Sequence, residues 1–144
     1  MTAINDAIYQ RIASSFSRQS AMETLGITLT DAKQGYVEMA LDYADHILQQ
    51  QGFIHGGVIT AGLDSACGFA ALTQAPAGHE VLSIEFKTSF LRPAPKGRIL
   101  FRGEVLKPGR RISFTEAGAF IHDGSKEVLI AKMSSSVAIV EIAD

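Results

Sequence analysis

The spacing of apolar side chains predicts a helical segment at the start of the chain. Apolar residues recur at intervals of four positions from Ile4 to Phe16, which places them on one face of a helix. Gly26 is a natural end, because glycine takes the left-handed conformation that commonly follows a helix. We therefore predict a helix over residues 4–25.

Two short strands follow in the pattern. Between Tyr36 and Asp42, apolar residues alternate with polar or small ones, which is the period of a strand with one buried face. A partner strand is predicted over residues 27–31, with a turn at Gln34-Gly35 between the two. Residues 43–54 are polar and lack a periodic pattern, so we predict an irregular segment there.

The rest of the pattern predicts one buried helix and four long strands. Residues 58–73 are almost all apolar or small and contain no breaker except two glycines, which indicates a helix in the core. The strands are predicted over residues 82–90, 98–106, 112–121 and 127–139. Their connections are short and rich in turn residues, which favours antiparallel pairing. One helix against an antiparallel sheet is an α+β fold.

Length and composition exclude some classes of protein. A chain of 144 residues with 47% apolar residues suits one domain, residues 1–144, with one hydrophobic core. The net charge is −2 without a block of like charge, so we expect neither nucleic acid nor an anionic membrane as a partner. No apolar run has the length of a membrane span. The single cysteine, Cys67, excludes an internal disulfide and fits a cytoplasmic location.

Asp64 is the candidate catalytic side chain of the buried helix. Positions three, four and seven residues away share its helical face, and all of them are small: Gly57, Thr60, Ala61, Cys67, Gly68 and Ala71. The opposite face suits the sheet and holds Val58, Ile59, Leu63, Phe69 and Ala70. A carboxylate in apolar surroundings is unfavourable unless it is paired or protonated. Asp64 is therefore either a general base or nucleophile, or a structural carboxylate bonded to a strand or a partner subunit.

The turn before this helix is a candidate oxyanion site. His55 is followed by Gly56 and Gly57, and the first N–H groups of a helix lack internal acceptors and lie at the positive end of its dipole. Two glycines let a ligand carbonyl approach closely, so the turn could stabilise the negative charge that develops on a carbonyl oxygen during a reaction. A glycine-rich turn without a ligand explains the same residues, and His55 could orient the loop or bind substrate.

Two segments of the chain resemble one enzyme family. Gly52-Phe53-Ile54-His55-Gly56-Gly57 and Leu63-Asp64-Ser65-Ala66-Cys67-Gly68 are similar to the PaaI-like branch of the hotdog-fold acyl-CoA thioesterases. That family carries a His-Gly-Gly turn with an acidic residue nine positions after the histidine, the spacing of His55 and Asp64. Residues 83–94 resemble its strand that ends in a Pro-Ala turn, and residues 107–111 resemble its basic turn. The similarity covers about residues 20–140.

The resemblance implies a fold, an assembly and a reaction. The fold is a long central helix wrapped by a curved antiparallel sheet. Two subunits form a continuous sheet, often as a dimer of dimers, with active sites at the dimer interface. The reaction is hydrolysis of an acyl-CoA thioester, or of an acyl carrier protein thioester, to the free acid and the thiol. Asp64 would activate water or attack directly, Gly57 N–H of the other subunit would polarise the carbonyl, and Ser83 would help hold the water.

Further polar residues complete the expected site. Many relatives have an asparagine six residues before the histidine, where this chain has Gln49, which offers the same hydrogen-bonding groups on a longer side chain. CoA carries phosphates, so four basic residues in predicted turns are candidate substrate contacts: Arg92, Lys96, Arg110 and Arg111. Solvated surface charge also explains each of these four. The resemblance implies no cofactor, and four scattered histidines with one cysteine predict no metal site.

Two other functions remain open. An acyl-thioester dehydratase or hydratase has the same fold, and enoyl-CoA turnover without thiol release would favour it. A non-enzymatic acyl-CoA-binding or regulatory protein would need no base, and tight binding without turnover would favour it. Both medium or long aliphatic chains and aryl-acyl groups are compatible with the apolar side chains available.

Overall fold

The structure is a computed structural model that describes residues 3–142. Its helices are α1 Ala3–Ser17, α2 Ser20–Leu25 and α3 Gly56–Leu72. Its strands are β1 Ile27–Lys33, β2 Tyr36–Asp42, β3 His79–Phe90, β4 Arg98–Lys107, β5 Ile112–Asp123 and β6 Lys126–Glu141. The segment predicted to be irregular, residues 43–54, contains a short 3-10 helix, Asp45–Ile47.

The strands form one six-stranded sheet in the order β1-β2-β4-β5-β6-β3. Every pair of neighbours in that order is antiparallel. Helix α3 packs on one face of the sheet, where it contacts β2, β3, β4, β5 and β6. The prediction of a buried helix against an antiparallel sheet is therefore confirmed.

Small residues allow α3 to approach the sheet closely. A Cβ on Gly62 would overlap the ring of Phe101 on β4, and a Cβ on Gly103 would overlap the backbone of Ala66. Gly62, Leu63 and Ala66 are all buried at this contact. The side of α3 that faces the sheet is thus partly built from small residues, which lets bulky side chains of the strands fill the space.

The predicted face of small residues around Asp64 is wrong in part. Cys67 and Ala71 are buried in the core rather than open to a ligand. Thr60, Ala61 and Gly68 are half-buried, as Asp64 is. Two of the six small residues around Asp64 are therefore packed in the core, so the accessible part of this helical face is narrower than the spacing in the sequence indicated. We call this accessible part the open stripe of α3.

The predicted single helix over residues 4–25 is also wrong. Helix α1 ends at Ser17, and Gln19 has a non-helical backbone (φ −89°, ψ 89°) before α2 begins. The break turns the chain onto α3, where the Phe16 ring lies 5.7 Å from the Phe69 ring. Gly26 ends α2 in the left-handed conformation, with φ 83°, as predicted.

The two edge strands of the sheet differ in their cover. Helix α1 packs on β1, whereas β3 leaves large apolar side chains in solvent: Leu82, Ile84, Phe86 and Phe90 are 42–63% exposed. An apolar edge strand offers unpaired backbone groups to another strand. Among residues 3–142, no helix is long and apolar enough to cross a membrane.

Candidate active site

Asp64 lies in the middle of α3 and has a polar partner on β3. Ser83 Oγ donates a 2.6 Å hydrogen bond to Asp64 Oδ1. The strand pairing changes register between Ser83 and Glu85, so a bulge follows Ser83 directly. Bulges redirect side chains, and here the side chain beside the bulge points at the carboxylate. The hydrogen bond fixes one oxygen of Asp64 and leaves the other oxygen for a ligand or water.

A cavity of about 520 Å³ begins at this pair. One wall is α3, with Asp64, Ser65, Gly68, Phe69 and Leu72, and another is the start of β3, from Glu80 to Ser83. The last turn of α1 and Gln19 close the third side. The size is typical of a small-molecule site. Asp64 lies beside the apolar side chains of Phe69, Leu72 and Val81, which suit an acyl group, and Arg18 and Glu80 make the rest of the lining polar.

Cys67 is the other side chain of α3 with nucleophilic potential, and its environment excludes that role. The thiol is fully buried, and burial raises its pKa to about 12. A thiol is nucleophilic only as the thiolate. Of the α3 side chains that line the cavity, Asp64 supplies a carboxylate and Ser65 a buried hydroxyl that accepts from Gln19, so the carboxylate is the group that can activate water.

The turn before α3 is a helix N-terminus capped by a histidine. His55 Nδ1 accepts a 2.8 Å hydrogen bond from Gly57 N–H. The Gly57 N–H that was predicted to polarise a carbonyl is therefore already engaged. The hydrogen bonds of the described residues include none donated by Gly56 N–H, which lies at the positive end of the helix dipole.

Phe90 lies against this turn. A Cβ on Gly56 would be 3.2 Å from the Phe90 ring, so glycine leaves room for both the ring and an approaching ligand. A second cavity of about 460 Å³ adjoins the turn and is lined by Phe53, Gly56, Phe90 and Arg92 among others. The Gly56 end of α3 thus has an apolar approach that is separate from the Asp64 cavity.

The two ends of the candidate site are too far apart to serve one thioester within a single chain. Gly56 and Asp64 are separated by eight residues of α3, about 12 Å along the helix axis. An attacking oxygen must come within about 3.5 Å of the carbonyl carbon while the carbonyl oxygen meets its donors. The Asp64 carboxylate and the Gly56 N–H of one chain are therefore too far apart to act on the same carbonyl group.

Gln49 lines the same cavity as Gly56, but its amide is bonded within its own loop. Its Oε1 accepts hydrogen bonds from the N–H groups of Gln51 and Phe53, and its Nε2 donates to Gln51 Oε1. Both ends of the amide are used within the loop. The longer side chain thus folds back on its own backbone.

The four basic candidates fall into two groups at opposite ends of β3. Arg92 and Lys96 follow the end of β3; Arg92 donates a 2.8 Å hydrogen bond to the Leu129 carbonyl, and Lys96 lies 5.8 Å from the Tyr43 ring centre. Arg110 and Arg111 lie in the exposed turn before β5, whose first residue is linked through β6 to the start of β3. One chain does not bring the two groups together.

Sequence reasoning missed two residues of the site. Gln19 lines the Asp64 cavity, and the Phe90 ring lies on Gly56. The sequence around neither residue indicates a role in the site. Gln19 lies within the segment predicted to be one helix, and Phe90 ends a predicted strand of alternating residues. Both contacts arise from packing between elements that are distant in the sequence.

Comparisons with known proteins agree with this architecture. Residues 51–128 match the model of the Thioesterase superfamily. A thioesterase family protein of known structure from Silicibacter pomeroyi is 38% identical, with a TM-score of 0.89 over 93% of this chain and 98% of that one. The Escherichia coli PaaI protein from the phenylacetic acid degradation operon is 16% identical, with a TM-score of 0.85 over 98% of this chain and 97% of that one.

A curated relative supports the same classification. The medium/long-chain acyl-CoA thioesterase YigI of Salmonella typhimurium is 28% identical over 111 residues, which are 76% of this chain and 70% of YigI. The predicted hotdog fold and the resemblance to PaaI-like proteins are confirmed. The matched segment includes the His55 turn, all of α3 and Ser83. The chain belongs to the Thioesterase superfamily and is a thioester hydrolase.

Proposed function

We propose that this protein hydrolyses acyl-CoA thioesters at sites formed between two subunits. The observation that carries the proposal is the Asp64 carboxylate, held by Ser83 at the mouth of an apolar cavity. A fixed carboxylate with one free oxygen can take a proton from water or attack the carbonyl carbon itself. When water attacks, the C–S bond breaks and the free acid and the CoA thiol leave. When Asp64 attacks, the C–S bond breaks and the thiol leaves, and water then hydrolyses the acyl–Asp64 anhydride to the free acid and the carboxylate.

We assign the carbonyl contact to the partner's half-site, and to Gly56 N–H rather than Gly57 N–H. Gly57 N–H already donates to His55, so Gly56 supplies the available donor at the positive end of α3. His55 then acts as the cap that holds the turn and keeps Gly57 engaged. Gln49 supports the loop that precedes the turn, with no direct contact to the substrate.

The open edge of β3 supports pairing between two subunits. Antiparallel pairing of two β3 strands covers the exposed apolar side chains of this edge and places the start of one strand beside the end of the other. Ser83 with Asp64 lies near the start of β3, and Phe90 with Gly56 lies at its end. Pairing therefore brings each Asp64 half-site to the Gly56 half-site of the partner.

The same pairing brings the basic residues to one site. Arg92 and Lys96 lie at the end of β3, and the partner's turn before β5 reaches the same side of the pair. We propose that Arg92, Lys96, Arg110 and Arg111 bind the phosphates of CoA there. Lys and Arg near phosphates contribute by charge attraction and hydrogen bonding.

Apolar residues on the outer face of the sheet support a dimer of dimers. Since Ser83 points toward α3, its neighbour Leu82 points to the opposite face. The strand register places Leu82, Ala138 and Ile112 side by side on three neighbouring strands, and Leu82 and Ile112 are 63% and 43% exposed. We propose that this face contacts a second dimer. The reduced, buried Cys67 is compatible with the cytoplasm, where we place the protein.

The decisive experiment measures free thiol release from a panel of acyl-CoAs and acyl carrier protein thioesters. We expect the wild type to hydrolyse members of the panel, and Asp64→Ala and Asp64→Asn to lose at least ~10²-fold in kcat, as expected when an essential base is lost. Asp42→Asn, which changes an exposed carboxylate at the end of β2, is the matched control and should keep full activity.

The alternatives give different results in the same assay. Full activity of Asp64→Ala would contradict the mechanism. Enoyl-CoA turnover without thiol release would favour a dehydratase or hydratase, and tight acyl-CoA binding without turnover would favour a binding or regulatory protein. The panel profile would also separate medium or long aliphatic acyl groups, the substrates named for YigI, from aryl-acyl groups.

A further inference from the structure

The wall of the Asp64 cavity formed by the N-terminal segment is anchored to the rest of the fold. Ser15, Arg18 and Gln19 line this wall. The Phe16 ring packs against Phe69 on α3, and an exposed ion pair of 3.7 Å links Arg18 to Glu80 on β3. The wall is thus held to both other sides of the cavity, so its side chains can act on whatever the cavity binds.

Gln19 is the unusual member of this wall, because only half of its amide is paired. Its Nε2 donates a 3.2 Å hydrogen bond to Ser65 Oγ, on the residue next to Asp64. Its Oε1 is buried and has no hydrogen-bond partner among residues 3–142. Buried polar atoms are almost always paired, and a buried acceptor without a partner destabilises a protein. An unpaired acceptor beside a substrate cavity is explained if the substrate supplies the donor.

We infer that Gln19 is a specificity-determining residue that selects acyl groups carrying a hydroxyl, a conclusion that rests on the proposed function. A small rotation of the side chain toward the cavity lets Oε1 accept a hydrogen bond from a hydroxyl on the acyl chain. Phe69, Leu72 and Val81 line the same cavity and contact the chain's methylene groups. The substrate hydroxyl donates a hydrogen bond to Gln19 Oε1, which otherwise has no partner. A hydroxyacyl group therefore binds better than an unsubstituted acyl group of the same length.

The test compares kcat/KM for pairs of aliphatic acyl-CoAs of equal length, with and without a hydroxyl at successive chain positions. We expect the wild type to prefer the hydroxyacyl member by at least about tenfold at one position. Gln19→Met keeps the length of the side chain and removes the acceptor, so it should abolish the preference: the ratio of kcat/KM between the two members of each pair should fall to about one.

Gln10→Met is the matched control, because it makes the same change at an exposed position of α1; it should keep the preference. No preference at any position in the wild type, or a preference that survives Gln19→Met, would overturn the inference. If no thioester is hydrolysed, the proposed function fails. In that case the affinity of Asp64→Asn for the same pairs of acyl-CoAs, with and without Gln19→Met, tests Gln19 without turnover. Equal affinity for both members of every pair would show that Gln19 does not select a hydroxyl.

Discussion

The two ends of the open stripe on α3 have opposite characters. The Asp64 end carries a carboxylate: Ser83 holds it, and α1 and β3 border the cavity beside it. The Gly56 end carries a donor: Gly56 N–H has no acceptor among residues 3–142, and Phe90, which lies against it, is 53% exposed. Both ends adjoin a cavity, but one presents a negative reactive group and the other the positive end of the helix dipole.

The two groups cannot act on one carbonyl within a single chain, because about 12 Å of rigid helix separates them. The edges of the sheet differ as well: among the residues described, β1 has no exposed large apolar side chain, whereas Leu82, Ile84, Phe86 and Phe90 of β3 are exposed. The proposed function requires a two-fold pair of subunits that meet along β3, which would bring the two groups together.

Among the changes that test the difference between the two ends of α3, removal of the Gly56 N–H should reduce kcat the most. Gly56→Pro deletes that donor at the first position of a helix, where proline is well tolerated. The backbone of His55 (φ −58°, ψ 135°) already suits a residue before proline. We expect kcat to fall by about 10²-fold, as for other lost oxyanion donors. Gly56→Ala adds a similar Cβ near Phe90 but keeps the N–H, and it should lose much less activity in the same steady-state assay.

Mixed dimers distinguish a shared site from a site within one chain. Gly56→Pro and Asp64→Asn damage different half-sites, so a mixed dimer has one intact site and one doubly damaged site. A random mixture of the two inactive variants should recover about a quarter of wild-type activity. No recovery after verified subunit exchange would mean that both groups act within one chain.

The element order of the fold could be predicted from the sequence, but the exposure of its edges could not. Alternating residues in segment 82–90 predict a strand, and the structure has one from His79 to Phe90. The pattern does not say that this strand lies at the edge of the sheet, because strand order depends on contacts distant in sequence. The break at Gln19 has the same origin: no proline or glycine marks it, and contacts with Ser65 and Phe69 accompany it.

The site could be predicted in part. The resemblance placed Asp64 and Ser83 in one site, and the structure joins them by a hydrogen bond. It could not assign the N–H groups of the glycine turn, because the conformation of the His55 ring decides which of them is free. Gln49 likewise matches a family position, yet its amide is used within its own loop.

A moderate effect should follow from weakening the Asp64 half-site without removing its carboxylate. Ser83→Ala deletes the hydroxyl that donates to Asp64. Hydrogen bonds to charged groups contribute about 1.5–3 kcal/mol. Because this bond is exposed to solvent, the lower value applies, and we expect kcat to fall by about tenfold. Ser83→Thr keeps a hydroxyl and should retain most of the wild-type kcat. Ser89→Ala, on the same strand, should leave kcat unchanged. A larger change in KM than in kcat would assign Ser83 to substrate binding instead.

Substitution of the basic residues should have the smallest effect on activity. It tests whether two subunits bring the pair Arg92 and Lys96 and the pair Arg110 and Arg111 to one site. Lys96→Ser and Arg110→Ser remove exposed charges from opposite ends of β3 in one chain. Exposed charge interactions contribute about 0.2–1 kcal/mol each, so each variant should raise KM for an acyl-CoA by about two- to fivefold with kcat unchanged. The increase should shrink at high salt, and it should vanish with an acyl-pantetheine, which lacks the nucleotide phosphates. Lys126→Ser, which removes an exposed charge at the first residue of β6, should leave KM unchanged. If only one of the two groups affects KM, the CoA site lies within a single chain's end of the sheet and the proposed pairing geometry is wrong.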